Sequence, residues 1–272
     1  MMRSVSAPPL RQAHGTGHLA FAREGQRTIV TQAHASSPLR LLCPRNRGHG
    51  AWVYTATLGG GLVNGDSIDL NISAGKGSTS LVAAQSLGKV YEGPRPSRQR
   101  THAIVEDAAW FAFIPDPVAC FSGARFIQES SVQLSNDSNL VWLEGLVAGR
   151  VERGERWDFA GYKSTLRIER NGLRVVHEGL WLTPEHGDLR TRLGPLNALL
   201  TLVIIGPRTE LLRAHTRQVL RSFIPNMSCY EFGDALLVRW AATEPERALE
   251  VVRHACEPLA DTLGDDPFAR KW

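Results

Sequence analysis

The segment Gly59-Gly60-Gly61-Leu62-Val63-Asn64-Gly65-Asp66 sets four glycines beside one carboxylate, a composition that could cradle a phosphate or hold an acid in a fixed position. The phosphate reading fails on spacing. A dinucleotide fingerprint starting at Gly59 needs glycine at position 64, where Asn64 stands, and it must open a helix, whereas the alternating stretch that follows reads as a strand. Gly75-Lys76-Gly77-Ser78 fails as a P-loop because glycine separates the lysine from the serine. What so many glycines do require is a backbone at positive φ or in close approach to another segment. Two readings stay open: a tight turn or bulge, or a rigid loop from which Asp66 projects toward a partner or a metal path.

Nucleophilic chemistry finds no support. The chain holds no Gly-x-Ser-x-Gly elbow, no His-Glu-x-x-His pair and no cysteine and histidine at catalytic spacing. Its nine histidines are scattered, and the nearest approach to a ligand cluster is Glu185-His186 with Asp188. A lone histidine is more often solvated or internally satisfied than a ligand, yet imidazole with a weaker carboxylate partner suits borderline ions such as nickel, so a transient site could be assembled across the fold. Gly149-Arg150-Val151-Glu152-Arg153-Gly154-Glu155 reads either as a solvated turn of mixed charge or as an ion-pairing surface. Cys43, Cys120, Cys229 and Cys256 are far apart and form no Cys-x-x-Cys pair, which argues against a zinc module or a disulfide scaffold and for a reducing, cytoplasmic setting.

Composition narrows the class further. A chain of 272 residues, 43% hydrophobic and 21% charged, reads as globular rather than disordered or fibrous. The formal charge of +4 is carried largely by arginine, clustered at Arg40, Arg45 and Arg47 and at Arg95, Arg98 and Arg100. That is too sparse for a nucleic-acid reader but fits a basic rim meeting acidic protein surfaces. The first twenty residues show only isolated apolar positions, and no stretch approaches about 18 consecutive apolar residues, so neither export nor a membrane span is expected.

The elements that must position these residues are mostly strands. Residues 1–17 lack periodicity and read as a flexible arm, with folding expected from His18. From there to about 183, short segments alternate apolar and polar residues between turn signals. Ile68, Leu70 and Ile72 share one face with Asp69 and Asn71 on the other, closed by a turn at 74–77; Trp110, Ala112 and Ile114 run until Pro115 and Pro117 stop them. Asn171-Gly172 predicts a hairpin. Beyond about 195 the pattern becomes α/β: a continuous apolar run at 196–205, helical spacing of Leu211, Leu212, His215, Val219 and Leu220, a strand over ALLVRWA, and a helix over 244–263 with Thr243 as N-cap. The expected fold is predominantly β, a stacked, β-helix-like single domain over 18–272 with about two C-terminal helices in an α/β cap.

In order and spacing these segments resemble the UreD/UreH family of urease accessory proteins. The resemblance rests on GGGLVNGD at 59–66, Lys89-Val90-Tyr91, Ile114-Pro115-Asp116-Pro117-Val118 with Phe121, Gly123-Ala124-Arg125-Phe126, then Gly149-Arg150, Gly154-Glu155 and Tyr162-Lys163-Ser164. Departures are Asn64, where the family usually has glycine, and Ala83 and Ala84, where it has threonines ahead of Gln85-Ser86. Asparagine tolerates the left-handed region, so the turn is expected to survive. The resemblance implies a non-catalytic maturation factor, a metallochaperone scaffold that docks on apo-urease with UreF and UreG and assists nickel insertion, with GTP hydrolysis belonging to UreG. It implies transient nickel rather than a resident cofactor, and homodimerisation within the complex is a further expectation. Carried over position by position, Asp66, Ser86, Glu144 and Glu178 become candidates for a nickel or water path, with Glu155 as a further position. The residues themselves leave two alternatives: a carbohydrate-active β-helix enzyme using Asp66, Glu144 and Glu155 as paired carboxylates, or a β-rich interaction module without a metal role.

Overall fold

Alternation decides which face a strand buries, and in this chain the alternating phase repeats from strand to strand. The computed structural model describes residues 12–45, 48–223 and 226–268. Its strands are β1 (His14–Glu24), β2 (Arg27–Ala35), β3 (Leu39–Leu42), β4 (Ala51–Thr57), β5 (Ser67–Ala74), β6 (Thr79–Ala84), β7 (Gly88–Val90), β8 (Ser97–Val105), β9 (Trp110–Ile114), β10 (Val118–Cys120), β11 (Arg125–Leu134), β12 (Asn139–Val147), β13 (Gly161–Arg170), β14 (Leu173–Leu182), β15 (Ala198–Ile205), β16 (Met227–Phe232) and β17 (Ala235–Ala242). The helices are α1 (Leu189–Leu193), α2 (Glu210–Phe223), α3 (Pro245–Ala255) and α4 (Leu259–Leu263).

From β4 to β13 the chain passes back and forth between two sheets. One runs in the order β14-β13-β11-β8-β5-β1-β2; the other follows β16-β17-β15-β12-β9-β6-β4-β3, with β7 and β10 attached through β12. Within the first, β5, β8, β11 and β13 pair parallel; within the second, β4, β6, β9 and β12 do the same. The chain therefore winds, adding one strand to each sheet per coil. This is the stacked, predominantly β architecture expected from the alternation, closed at both ends by antiparallel pairs such as the β13–β14 hairpin at Asn171-Gly172.

Two apolar cores follow from the two faces of the second sheet. Between the sheets lie Phe21, Ile68, Leu70, Phe111, Trp142, Leu146, Phe159, Leu166 and Val203. On the outer face Leu143, Leu200, Leu202 and Val238 pack under Leu212 and Leu220 of α2 and Val251 and Val252 of α3. β9, β12 and β15 are thus covered on both sides, which explains their near-continuous apolar sequences. The run at 196–205 contributes β15, a strand, as expected.

Some local expectations are corrected. The first strand begins at His14, ahead of the expected boundary at His18, while residues 1–11 of the expected arm lie outside the described residues. Leu211 is 84% exposed, because Leu212, Thr216 and Leu220 form the inward stripe of α2. The helix expected over 244–263 is two helices: Glu257 donates to the His254 carbonyl (3.2 Å), and Pro258, which has no N–H, starts α4. Its N-cap is Glu244 rather than Thr243. Asp188, read as a candidate ligand neighbour, caps α1 by accepting the Thr191 N–H at 2.8 Å. Arg47 of the first arginine cluster lies outside the described residues. Among the described residues, no helix is long and apolar enough to cross a membrane.

The glycine loop turns between β4 and β5. Gly60 sits at φ +80° with open space around its missing Cβ, whereas a Cβ on Gly61 (φ +151°) would lie 2.5 Å from the Lys89 carbonyl oxygen. Asn64 takes the left-handed region (φ +47°), as expected of its type. Gly60→Val should therefore cost backbone strain alone, about 1–3 kcal/mol, and Gly61→Val should cost more because the carbonyl must also move. Thermal melting and soluble yield of the two variants check this; a Gly60→Val protein as stable as wild type would refute it.

Candidate functional site

The inner face of the first sheet should be apolar throughout, and it is not. β11 points Phe126, Gln128, Ser130, Val132 and Leu134 inward, so two polar side chains interrupt the apolar phase. In-register pairing extends the interruption sideways. Gln99 and Thr101 of β8 pair with Gln128 and Ser130, Ser164 of β13 pairs with Gln128, and Leu166, paired with Ser130, pairs in turn with Glu178 of β14. The facing sheet answers with a second polar row: Glu144 of β12 pairs with Thr201 of β15, which pairs with Arg239 of β17. Directly paired residues share a face, so the two rows form a polar seam through the intersheet space.

Glu144 is the centre of the seam. Only 8% exposed, it shares the inward phase of Leu140, Trp142 and Leu146. Its Oε1 accepts the Ser130 hydroxyl at 2.6 Å and the Trp142 Nε1–H at 3.2 Å. Burial pushes its carboxyl above the usual glutamate value; the donors Ser130, Trp142 and Gln128 oppose that shift, and the charge of Glu178 adds to it. Tyr162, also on the seam, is raised by burial and then by the charge of Glu144.

Cavities follow the seam. One of about 330 Å³ is lined by Glu144, Tyr162, Ser164, Glu178, Thr201 and Arg239. A smaller one of about 80 Å³ is lined by Ser86, Thr101, Asp116, Gln128, Ser130 and, again, Glu144. A third, about 350 Å³, shares Pro115 and Asp116 with the second and reaches Glu246 and Glu250 of α3. Glu144 is thus part of the wall common to the first two, and Asp116 of the wall common to the last two. In the first cavity Glu178 is clamped by Arg239: Nε donates to Oε2 at 2.6 Å and Nη2 to Oε1, with Glu178 16% and Arg239 51% exposed.

Of the residues expected on a path, Glu144 lines both of the first two cavities, Glu178 the first and the exposed Ser86 the second. Asp66 is placed elsewhere. It is 5% exposed and lines none of these cavities; Oδ1 accepts the Ala13 N–H at 2.8 Å and Oδ2 the Val63 N–H at 3.0 Å, tying the glycine loop to the start of β1. Glu155 pairs with Arg150, which depresses its carboxyl, and Arg150 also lies 4.3 Å over the Phe121 ring. The ion-pairing reading of that loop is met within the chain, and the three acids named for a sugar cleft do not converge. Asp116 and Arg239 were missed as site residues, although Ile114-Pro115-Asp116-Pro117 had been singled out as a motif. Among the described residues, no group of three or more His, Cys, Asp or Glu side chains is arranged to hold a metal ion, and all four cysteines are free.

Comparison with known proteins follows the same direction. The family model described as UreD urease accessory protein matches residues 13–272. A urease accessory protein UreD of Sorangium cellulosum is 43% identical, covering 95% of this chain and 84% of its own. Urease accessory protein D of Oryza sativa subsp. japonica is 33% identical over 98% and 97% of the two chains, and that of Arabidopsis thaliana 27% over 93% and 99%.

Two predictions separate the acids. Asp66→Asn turns one acceptor into a donor facing a backbone N–H, which should cost about 1–3 kcal/mol and reduce soluble yield; unchanged stability would refute the capping role. For Glu144 the folded-state carboxyl holds its proton more tightly than the unfolded one, so wild-type stability falls as pH rises from about the ordinary value of 4.5 through the raised one. Glu144→Gln keeps the acceptor for Ser130 and Trp142 without the charge. Its melting temperature relative to wild type should rise between pH 4.5 and pH 8; a constant difference would show that burial does not control this group.

Proposed function

The chain belongs to the family of UreD urease accessory proteins, and from that premise we propose that it serves urease maturation, binding apo-urease together with UreF and UreG and giving nickel a polar route toward the urease site. The observation that carries this reading is Glu144, a buried carboxylate in the wall common to two cavities on a polar seam between apolar sheets. A hydrated dication entering an apolar gap loses solvation it cannot recover, whereas carboxylate, hydroxyl and amide oxygens replace part of its shell. Single acids spaced along a path hold such an ion weakly enough to release it, where a converged set of ligands would trap it. Glu144 and Glu178, with Ser86 and Asp116, supply that spacing; Asp66 supports the loop instead.

The decisive measurement is nickel content per urease active site, alongside the amount of UreF that co-purifies. Glu144→Gln and Glu178→Gln should fold and retain UreF, yet leave co-expressed urease poorer in nickel and less active. The larger loss is expected for Glu178→Gln, which leaves the Arg239 cation unpaired in the first cavity. Asp66→Asn should lower the amount of soluble complex rather than the nickel per recovered site. Full nickel loading with both glutamine variants would overturn the route.

A further inference from the structure

The outer face of the first sheet carries an in-register row that the interior seam does not use. His34 of β2 pairs with His18 of β1, and His18 pairs in turn with Asn71 of β5 and Asn71 with His102 of β8. Leu19, next to His18, is buried, so His18 and its antiparallel partner point outward together, and both are exposed. Directly opposed residues on antiparallel strands hold their Cβ atoms about 4.5–5.5 Å apart, a spacing from which two imidazoles can reach one ion.

We propose that His18 and His34 form a surface site for one divalent ion of the imidazole-preferring class, such as nickel or copper, with water completing its shell. Among the described residues, neither imidazole shares the hydrogen bonds and ion pairs that hold other histidines of this face: His102 Nδ1 lies 2.8 Å from the Ser131 hydroxyl, and His14 bonds Ser67 and lies 3.5 Å from Asp69. The neighbours of the pair on the same face, Thr16, Ala20, Gln32 and Asn71, are uncharged, so no cation repels the ion. β2 is the terminal strand of its sheet, so among the described residues no strand pairs with it on the far side of His34. Two nitrogens without a converged third ligand make a weak, exchangeable site, selective for borderline ions over magnesium or calcium, which need oxygen donors. The site is separate from the interior seam and stands or falls independently of the nickel route.

The test is calorimetric titration of the untagged full chain with nickel chloride and with copper chloride. One site per chain is expected, tighter for copper than for nickel. His18→Ala or His34→Ala should each weaken it by about tenfold or more, since even losing a supporting partner of a ligand costs that much; His102→Ala should leave it unchanged. Because both side chains are exposed, the His18→Ala and His34→Ala variants should melt like wild type without metal, and on adding nickel they should gain less melting temperature than wild type or His102→Ala. Copper bound to wild type should show coupling to two nitrogens by electron paramagnetic resonance. Equal binding by the His18→Ala/His34→Ala double variant, or failure of wild type to bind either ion more tightly than that variant, would overturn the proposal.

Discussion

Parallel, in-register stacking of successive coils is the constraint on which the rest depends. Because β5, β8, β11 and β13 pair without slipping, a side chain's inward or outward phase is inherited by the strand beside it. A one-residue slip would send every inward side chain to solvent. Rows of like character therefore build up across the sheet: an apolar core row, a polar seam through Gln99, Gln128 and Ser164, and an outer row through His18, Asn71 and His102. Function in such a fold is written in rows, each of which needs residues about thirty positions apart along the chain.

That constraint also explains why the two buried acids differ in role. Asp66 is buried at a loop and takes both of its partners from backbone N–H groups, an arrangement that satisfies the carboxylate within a few residues of chain start and turn. Glu144 is buried mid-strand, where the backbone is already committed to the ladder, and its donors are side chains from the facing sheet and its own strand. A carboxylate solvated only by movable side-chain donors, with cavities on both sides, is poised for exchange; one fixed by two backbone donors is not.

Much of the β scaffold was legible because alternation is local: Ile68, Leu70 and Ile72 announce the inner face of β5 without reference to any other strand. Helix ends were less so. Pro258 was visible, but its effect on the helix over 244–263 depended on how the turn after Cys256 packs under the second sheet. The seam was legible only in fragments. Gln128 and Ser130 violate the alternation of β11 within one segment, a signal that sequence reading passed over. Arg239 carries no local signal, since it matters through Glu178, sixty-one positions away, and the motif around Asp116 does not reveal the cavities that residue borders. Glycine type alone left the loop open between a turn and a metal path. Two backbone bonds to Asp66 favour the turn.

On the proposed route, burial of Glu144 and passage of an ion would be coupled by one energy. In the empty seam the protein disfavours the charged form, because few dipoles replace the water that burial removes. A dication in either adjoining cavity would favour the charged form by direct attraction, and the proton released as the carboxylate ionises would make its binding pH-dependent. On the proposed route the charged form is therefore disfavoured without an ion and favoured by one. That would ease the cost of a negative charge between two apolar sheets while supplying a ligand to the ion. Arg239 bears on Glu178 through geometry: its guanidinium clamps both carboxylate oxygens, so on the proposed route a cation would have to displace or share the clamp. On the proposed route, an ion entering by the first cavity would meet an acid clamped by a guanidinium and then one whose burial disfavours its charged form. Neither would hold the ion tightly, which is what transfer, as opposed to storage, requires.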